Sequence, residues 1–104
     1  MNRSDFTVNI AKLILFAVDN GYHVVGDWFL RDDETQKRMF LAGKSKCDGK
    51  NKRSKHQDGK ALDIYIIEDG KISESKSDYI ILHDYWLTLG GEPMLSWDQG
   101  HFEG

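Results

Sequence analysis

Apolar residues recur at helical spacing near the start of the chain, where Phe6, Ile10, Leu13, Ile14 and Ala17 form one stripe ending at Asn20-Gly21. The pattern predicts an amphipathic helix that starts near Asp5 under a Ser4 cap and stops at the Asn-Gly pair. The period then shortens: Tyr22 to Leu30, with Val24, Val25, Trp28 and Phe29 interrupted by Gly26, reads as a strand that delivers Arg31 at its end. Asp32 or Asp33 can cap a short helix through Gln36, Met39 and Phe40 that Gly43 stops. Lys44 to Ser54 has little apolar content and reads as an exposed loop, of the kind that more often serves a site than a core. Alternation returns from Ala61 to Ile67, placing Ala61, Asp63 and Tyr65 on one face and Leu62, Ile64 and Ile66 on the other. Asp69-Gly70 signals a hairpin turn into Lys71-Ile72-Ser73. Ser77 can cap a helix carrying Tyr79, Ile80, Leu82, Tyr85, Trp86 and Leu89, which stops at Gly90-Gly91. Met94 to Trp97 suggests a further short strand and His101 to Glu103 a last one, with His101 and Glu103 on the face opposite Phe102. This order of elements implies an α+β fold, a small, mainly antiparallel sheet flanked by helices, in one domain spanning residues 1–104.

Composition narrows the picture without naming a function. A chain of 104 residues supports one hydrophobic core, and 39% hydrophobic with 30% charged residues fits a globular fold. The net charge of -3 is too small to name a partner, but seven of the fourteen basic residues lie between Lys44 and Lys60. Such a run is usually a solvated face; the sharper reading is attraction to anionic polymers or carboxylates. No aromatic residue is interleaved with those lysines, which disfavours a stacking platform for nucleic acid. The single Cys47 excludes an internal disulfide framework, and no apolar run reaches membrane-spanning length. Without a clear signal peptide, synthesis in the cytoplasm is expected.

Chemistry concentrates in Ser54-Lys55-His56-Gln57-Asp58-Gly59-Lys60-Ala61-Leu62-Asp63. Seven extended residues span roughly 23 Å, whereas two ligands of one zinc must each sit about 2 Å from it, so the segment has to fold back. Asp58-Gly59 supplies the turn, and Asp63 then projects from the strand beside small Ala61, which leaves room for His56 and an ion. His101 is the candidate third ligand. Two His and one carboxylate leave a fourth position open, the arrangement of catalytic rather than structural zinc, although other divalent ions accept the same donors. Taken singly, each of these residues would more often be an ordinary polar residue.

The two motifs resemble those of the zinc D,D-carboxypeptidase and L-alanyl-D-glutamate endopeptidase family of cell-wall peptidases, which shares its fold with the Hedgehog signalling domain. The first, Ser-x-His-x-x-Gly-x-Ala-x-Asp, is matched by Ser54, His56, Gly59, Ala61 and Asp63, and the second, an acid two residues clear of a His followed by Phe-Glu, by Asp98, His101, Phe102 and Glu103. Leu82 to Trp86 and Gly90-Gly91 are similar to the helix and glycine pair that precede the second motif in short phage-borne members. Two departures stand out. Asp98 occupies a position where carboxypeptidase and dipeptidase members tend to have Glu, which looks more like the phage endolysin and endopeptidase branch, and Gly100 replaces a Pro often found before the His.

The resemblance implies a hydrolase that uses one zinc per chain, held by His56, Asp63 and His101, to cut an amide in peptidoglycan stem peptides. Asp98 would be its general base, or alternatively a turn residue over Trp97 to Gly100. Arg31 matches the family's early Arg and could polarise the scissile carbonyl or bind a substrate carboxylate; it could equally be a strand-end charge paired with Asp32, Asp33 or Glu34. Ser54 could hydrogen-bond a ligand or substrate, or cap its turn, and Glu103 could orient His56 or His101, or be an exposed charge. A monomeric lysin released to the cell wall by a holin is the corresponding expectation, with no nucleic-acid partner and no membrane segment. The alternatives are a non-catalytic, zinc-containing peptide- or wall-binding module of the same fold, and a nucleic-acid binder using the basic loop.

Overall fold

The computed structural model describes residues 1–27, 32–50 and 52–104. Its elements run α1 (Arg3–Asp19), β1 (His23–Asp27), α2 (Asp33–Leu41), β2 (Ala61–Glu68), β3 (Lys71–Ile72), α3 (Lys76–Thr88) and β4 (His101–Glu103). The architecture is α+β with an antiparallel sheet. Strand β2 lies at its centre, pairing with β1 from Asp63 to Ile67 along one edge. Its other edge is shared, by β3 at Ile67 and Glu68 and by β4 from Ala61 to Asp63.

Alternation in β2 separates the core from the site. Leu62, Ile64 and Ile66 join Phe102 of β4 in the buried apolar cluster, with Phe6, Ile10, Leu13 and Ala17 of α1 and Tyr79, Leu82 and Trp86 of α3. The α1 stripe is the one its sequence predicts. Trp86 stands between Phe6 and Phe102, meeting both rings edge-on at centroid distances of 5.6 and 6.2 Å. Asp63 and Tyr65, on the opposite face of β2, line a cleft instead.

The hairpin turn is as expected: Asp69 and Gly70 both take positive φ, 53° and 75°, the conformation of a two-residue type I′ connection. Helix caps differ from their expected positions. Asn2, not Ser4, accepts from the backbone of Asp5, and α1 begins two residues early. Its start is drawn back because Met1 packs against the core, giving Asn2 the extended backbone a cap requires. Ser75 rather than Ser77 is the cap position of α3; its backbone carbonyl accepts from Tyr79, while its hydroxyl lies 3.2 Å from that of Ser77. Asp32 caps α2 by accepting from the Thr35 backbone.

Two further corrections concern the loops. Met94 to Trp97 is not a strand: a lone bridge joins Leu95 to Asp98 across a turn, because Asp98 bonds back to the Leu95 carbonyl rather than to a neighbouring strand. The basic loop is not wholly exposed either. Gln36, the buried residue of α2, donates to Ser45 Oγ and to the Cys47 carbonyl, each at 2.7 Å. Buried Gln57 donates to Asp33 and to the Gly49 carbonyl, and accepts from the Ser54 backbone. These amides supply the hydrogen bonds that let a polar segment pack down beside the sheet. Of the strand expected from Tyr22 to Leu30, the part after Asp27 lies outside the described residues. No helix among the described residues is long and apolar enough to cross a membrane.

Candidate metal centre

The segment between the basic loop and β2 folds back as the spacing of His56 and Asp63 requires. Ser54 Oγ accepts from the His56 backbone, Gly59 takes φ 68°, and Lys60 N–H closes the turn on the Lys55 carbonyl at 2.9 Å. A positive φ there is strained for residues with a Cβ, and one would also lie 2.7 Å from Arg3 Nε. On the far side of Asp63, β4 pairs with β2 so that His101 sits directly opposite it. The local turn brings His56 back to Asp63, and the sheet register brings His101 to both.

One donor atom from each of His56, Asp63 and His101 lies within 4.8 Å of the others. His56 Nε2 and His101 Nδ1 are each 3.3 Å from Asp63 Oδ1. A charge-assisted N–H···O bond would close to about 2.7–2.9 Å. Donors bound about 2.0–2.1 Å from one tetrahedral ion are instead separated by roughly 3.3–3.4 Å. Both distances to Asp63 match two donors on one ion more closely than a short ion-pair hydrogen bond, and the donor set could hold a divalent transition ion. Glu103 Oε2 is 3.4 Å from His101 Nε2, on the other side of that ring, where a carboxylate fixes which nitrogen faces the metal. Of the two readings of Glu103, orienting His101 is the one this placement supports.

Asp98 lines the same cleft, and its carboxylate makes no hydrogen bond or ion pair among the described residues; its turn is formed by its backbone alone. Burial and the charge of Asp63 raise its pKa, against the opposing pull of His101 and His56. Ser54 also lines the cleft, but its hydroxyl is engaged in capping the turn. Arg31 lies outside the described residues.

Tyr65 and Trp97 join the cleft without having drawn a role from the sequence. Burial, then the carboxylates of Asp63, Asp98 and Asp27, push the Tyr65 phenol up to about 12, so it stays protonated. Alternation had already put Tyr65 on the face of Asp63. Trp97 is 70% exposed, and Lys46 Nζ sits 5.0 Å from its ring centroid, joining the basic loop to the Asp98 turn by a cation–π contact. Gly100, where the motif it resembles often has Pro, has no room for a side chain: a Cβ would lie 2.7 Å from the Tyr65 ring and 3.0 Å from the Ile64 carbonyl.

Without metal, the triad is an ion-pair cluster with its own pH window. Burial opposes charge on His101, but hydrogen bonds to Asp63 and Glu103 outweigh it and lift the ring to about 9. Burial likewise raises Asp63, yet the hydrogen bonds from His101 and His56 prevail and hold it at about 2. Against an unfolded His at about 6.5, the His101 contribution is complete below that value and is lost as pH climbs through about 9. Against an unfolded Asp at about 3.9, the Asp63 contribution is present above that value and is lost as pH falls through about 2. Chelated protein is expected to have its highest Tm between about pH 4 and 6.5. Thermal scans should also show a decline toward pH 9 that His101→Gln flattens; an undiminished decline in that variant would assign it to other groups.

In comparisons with known proteins, no family model matches the chain and no curated protein matches it.

Proposed function

We propose that the chain is a zinc metallopeptidase that hydrolyses an amide in peptidoglycan stem peptides, of the L-Ala-D-Glu endopeptidase or D-Ala-D-Ala carboxypeptidase type, working as a phage or prophage lysin. The observation that carries this reading is the cluster of His56, Asp63 and His101, both imidazoles 3.3 Å from one Asp63 oxygen, with the Asp98 carboxylate in the same cleft and without a hydrogen-bond or ion-pair partner among the described residues. The match of both motifs to the cell-wall peptidase family adds the substrate class.

His56, Asp63 and His101 would hold the zinc, which when bound would supply Lewis acidity and lower the pKa of a water. Asp98 takes a proton from the attacking water at a carboxylate oxygen and returns it to the amine nitrogen as the C–N bond breaks. Its raised pKa suits both halves of that exchange. Glu103 keeps the His101 ring turned toward the metal. The lining of the cleft, about 710 Å³, includes Lys44, Lys46, Lys52, Arg53 and Lys55. Cationic lining beside an amide-cleaving centre favours a substrate that carries carboxylates, as stem peptides do.

Digestion of purified peptidoglycan, with mass analysis of the released fragments, tests the reading. Fragments should appear with zinc, vanish on chelation and return when zinc is restored, and their masses name the bond. One tightly bound zinc per chain without fragment release would favour the non-catalytic binding module instead.

A further inference from the structure

Helix α3 grips the C-terminal segment through two ring N–H groups. Trp86 Nε1 donates to the Glu103 carbonyl at 2.9 Å, and His83 Nε2 meets the Gln99 carbonyl at 2.8 Å. The two acceptors lie two residues to either side of His101. A carbonyl only accepts, so the His83 proton is on Nε2 and Nδ1 presents a bare lone pair. That Nδ1 is buried and has no hydrogen-bond partner among the described residues. The His83 ring stacks on Phe102 at a centroid distance of 3.9 Å and an interplanar angle of 7°.

A phenyl ring could make the same stack and would leave no orphaned acceptor. What the imidazole adds is the donor to Gln99. That carbonyl belongs to the peptide between Asp98 and His101, in a turn otherwise held by long bonds, all 3.2 Å: Asp98 N–H to Leu95 O, His101 N–H to Asp98 O, and the Gln99 side-chain amide to Glu74 O. The shorter bond from Ile64 N–H to Gly100 O, at 2.7 Å, anchors the next peptide to β2. Holding the Gln99 carbonyl from the α3 side limits rotation of the turn about that anchor.

We infer that His83 is a positioning residue that sets the aim of the Asp98 carboxylate and the His101 ring, using its Nε2–H as a fixed donor to the Gln99 carbonyl. The Asp98 half rests on the peptidase reading; the His101 half requires only that the triad binds a metal.

Two substitutions separate donation from packing. His83→Phe keeps the stack and loses the donor, whereas His83→Gln loses the ring and keeps an N–H near the Nε2 position. Zinc affinity, measured by competition with a chromogenic chelator, is expected to weaken about 10-fold in His83→Phe and to stay near wild type in His83→Gln. On peptidoglycan fragments, kcat should fall about 10–100-fold in the Phe variant with little change in KM, and largely recover in the Gln variant. Wild-type affinity in a folded Phe variant, or weakening in the Gln variant as large as in Phe, would overturn the inference. If the Phe variant does not fold, the Gln variant decides alone, since retained affinity without the ring assigns the role to the donor and lost affinity assigns it to packing. If wild type binds zinc but cleaves nothing, the peptidase reading fails while the affinity comparison still tests His83.

Discussion

Asp98→Ala is expected to keep one zinc per chain and to lower kcat on peptidoglycan fragments by about 10²–10⁴-fold, with a much smaller change in KM. The metal should stay because Asp98 is not among the three clustered donors. The turn should stay because Asp98 contributes to it through its backbone, accepting from His101 N–H and donating to Leu95 O. What alanine removes is a half-buried carboxylate with no other partner among the described residues, held at a raised pKa by burial and by Asp63. Asp98→Asn, similar in shape but without a proton acceptor of that strength, should lose nearly as much. Metal content by atomic absorption, alongside steady-state kinetics, checks both halves. An alanine variant with wild-type kcat would remove Asp98 from the chemistry, and one that lost its zinc would make it a ligand or a support of one.

Trp86→Ala is expected to cost about 3–5 kcal/mol from the lost side chain and its cavity. The Glu103 carbonyl would lose one of its two donors and keep the Glu92 N–H at 2.8 Å, so the lost hydrogen bond adds only about 0.5–1.5 kcal/mol. Trp86 is fully buried, packs edge-on against Phe6 and Phe102, and approaches Gly91 so closely that a Cβ there would fall 2.0 Å from the indole nitrogen. Small domains have only about 5–15 kcal/mol of stability in total, so the loss should leave the variant largely unfolded or barely stable at 37 °C. Urea unfolding followed by circular dichroism reads the effect as a lowered midpoint. Trp86→Phe, which keeps most of the packing and loses the N–H, should sit between the two. An unfolding free energy for Trp86→Ala within about 1 kcal/mol of wild type would mean that the core can collapse around the gap.

The difference between these residues and their neighbours was only partly visible in the chain. Trp86 falls on the predicted apolar helix and so could be expected in the core. His83, three positions earlier, looks like an ordinary helical residue, because its value depends on a carbonyl sixteen residues away in another element. Gln36 and Gln57 were hidden in the same way: polar side chains in and beside a lysine-rich segment read as solvated, yet they hold that segment against α2. The caps at Asn2 and Ser75 were displaced by two residues from the expected serines, since a cap is chosen by where packing lets the chain enter the helix, and several nearby residues could have served.

The sequence by itself determined what depends on near neighbours: the α1 stripe, the faces of β2, the Asp69-Gly70 turn and the folded-back path from His56 to Asp63. Side chains two or four positions apart share a face in any strand or helix, and glycine tolerates positive φ wherever it stands, so these features need no tertiary partner. Only the tertiary structure decided that β4 lies against the start of β2, bringing His101 to Asp63, and that α3 and the buried glutamines hold both walls of the cleft. His101 and Asp63 alone are 38 positions apart in the chain. They form only where the core beneath them, with Trp86 at its middle, buries enough apolar surface to offset the entropy of closing such long loops.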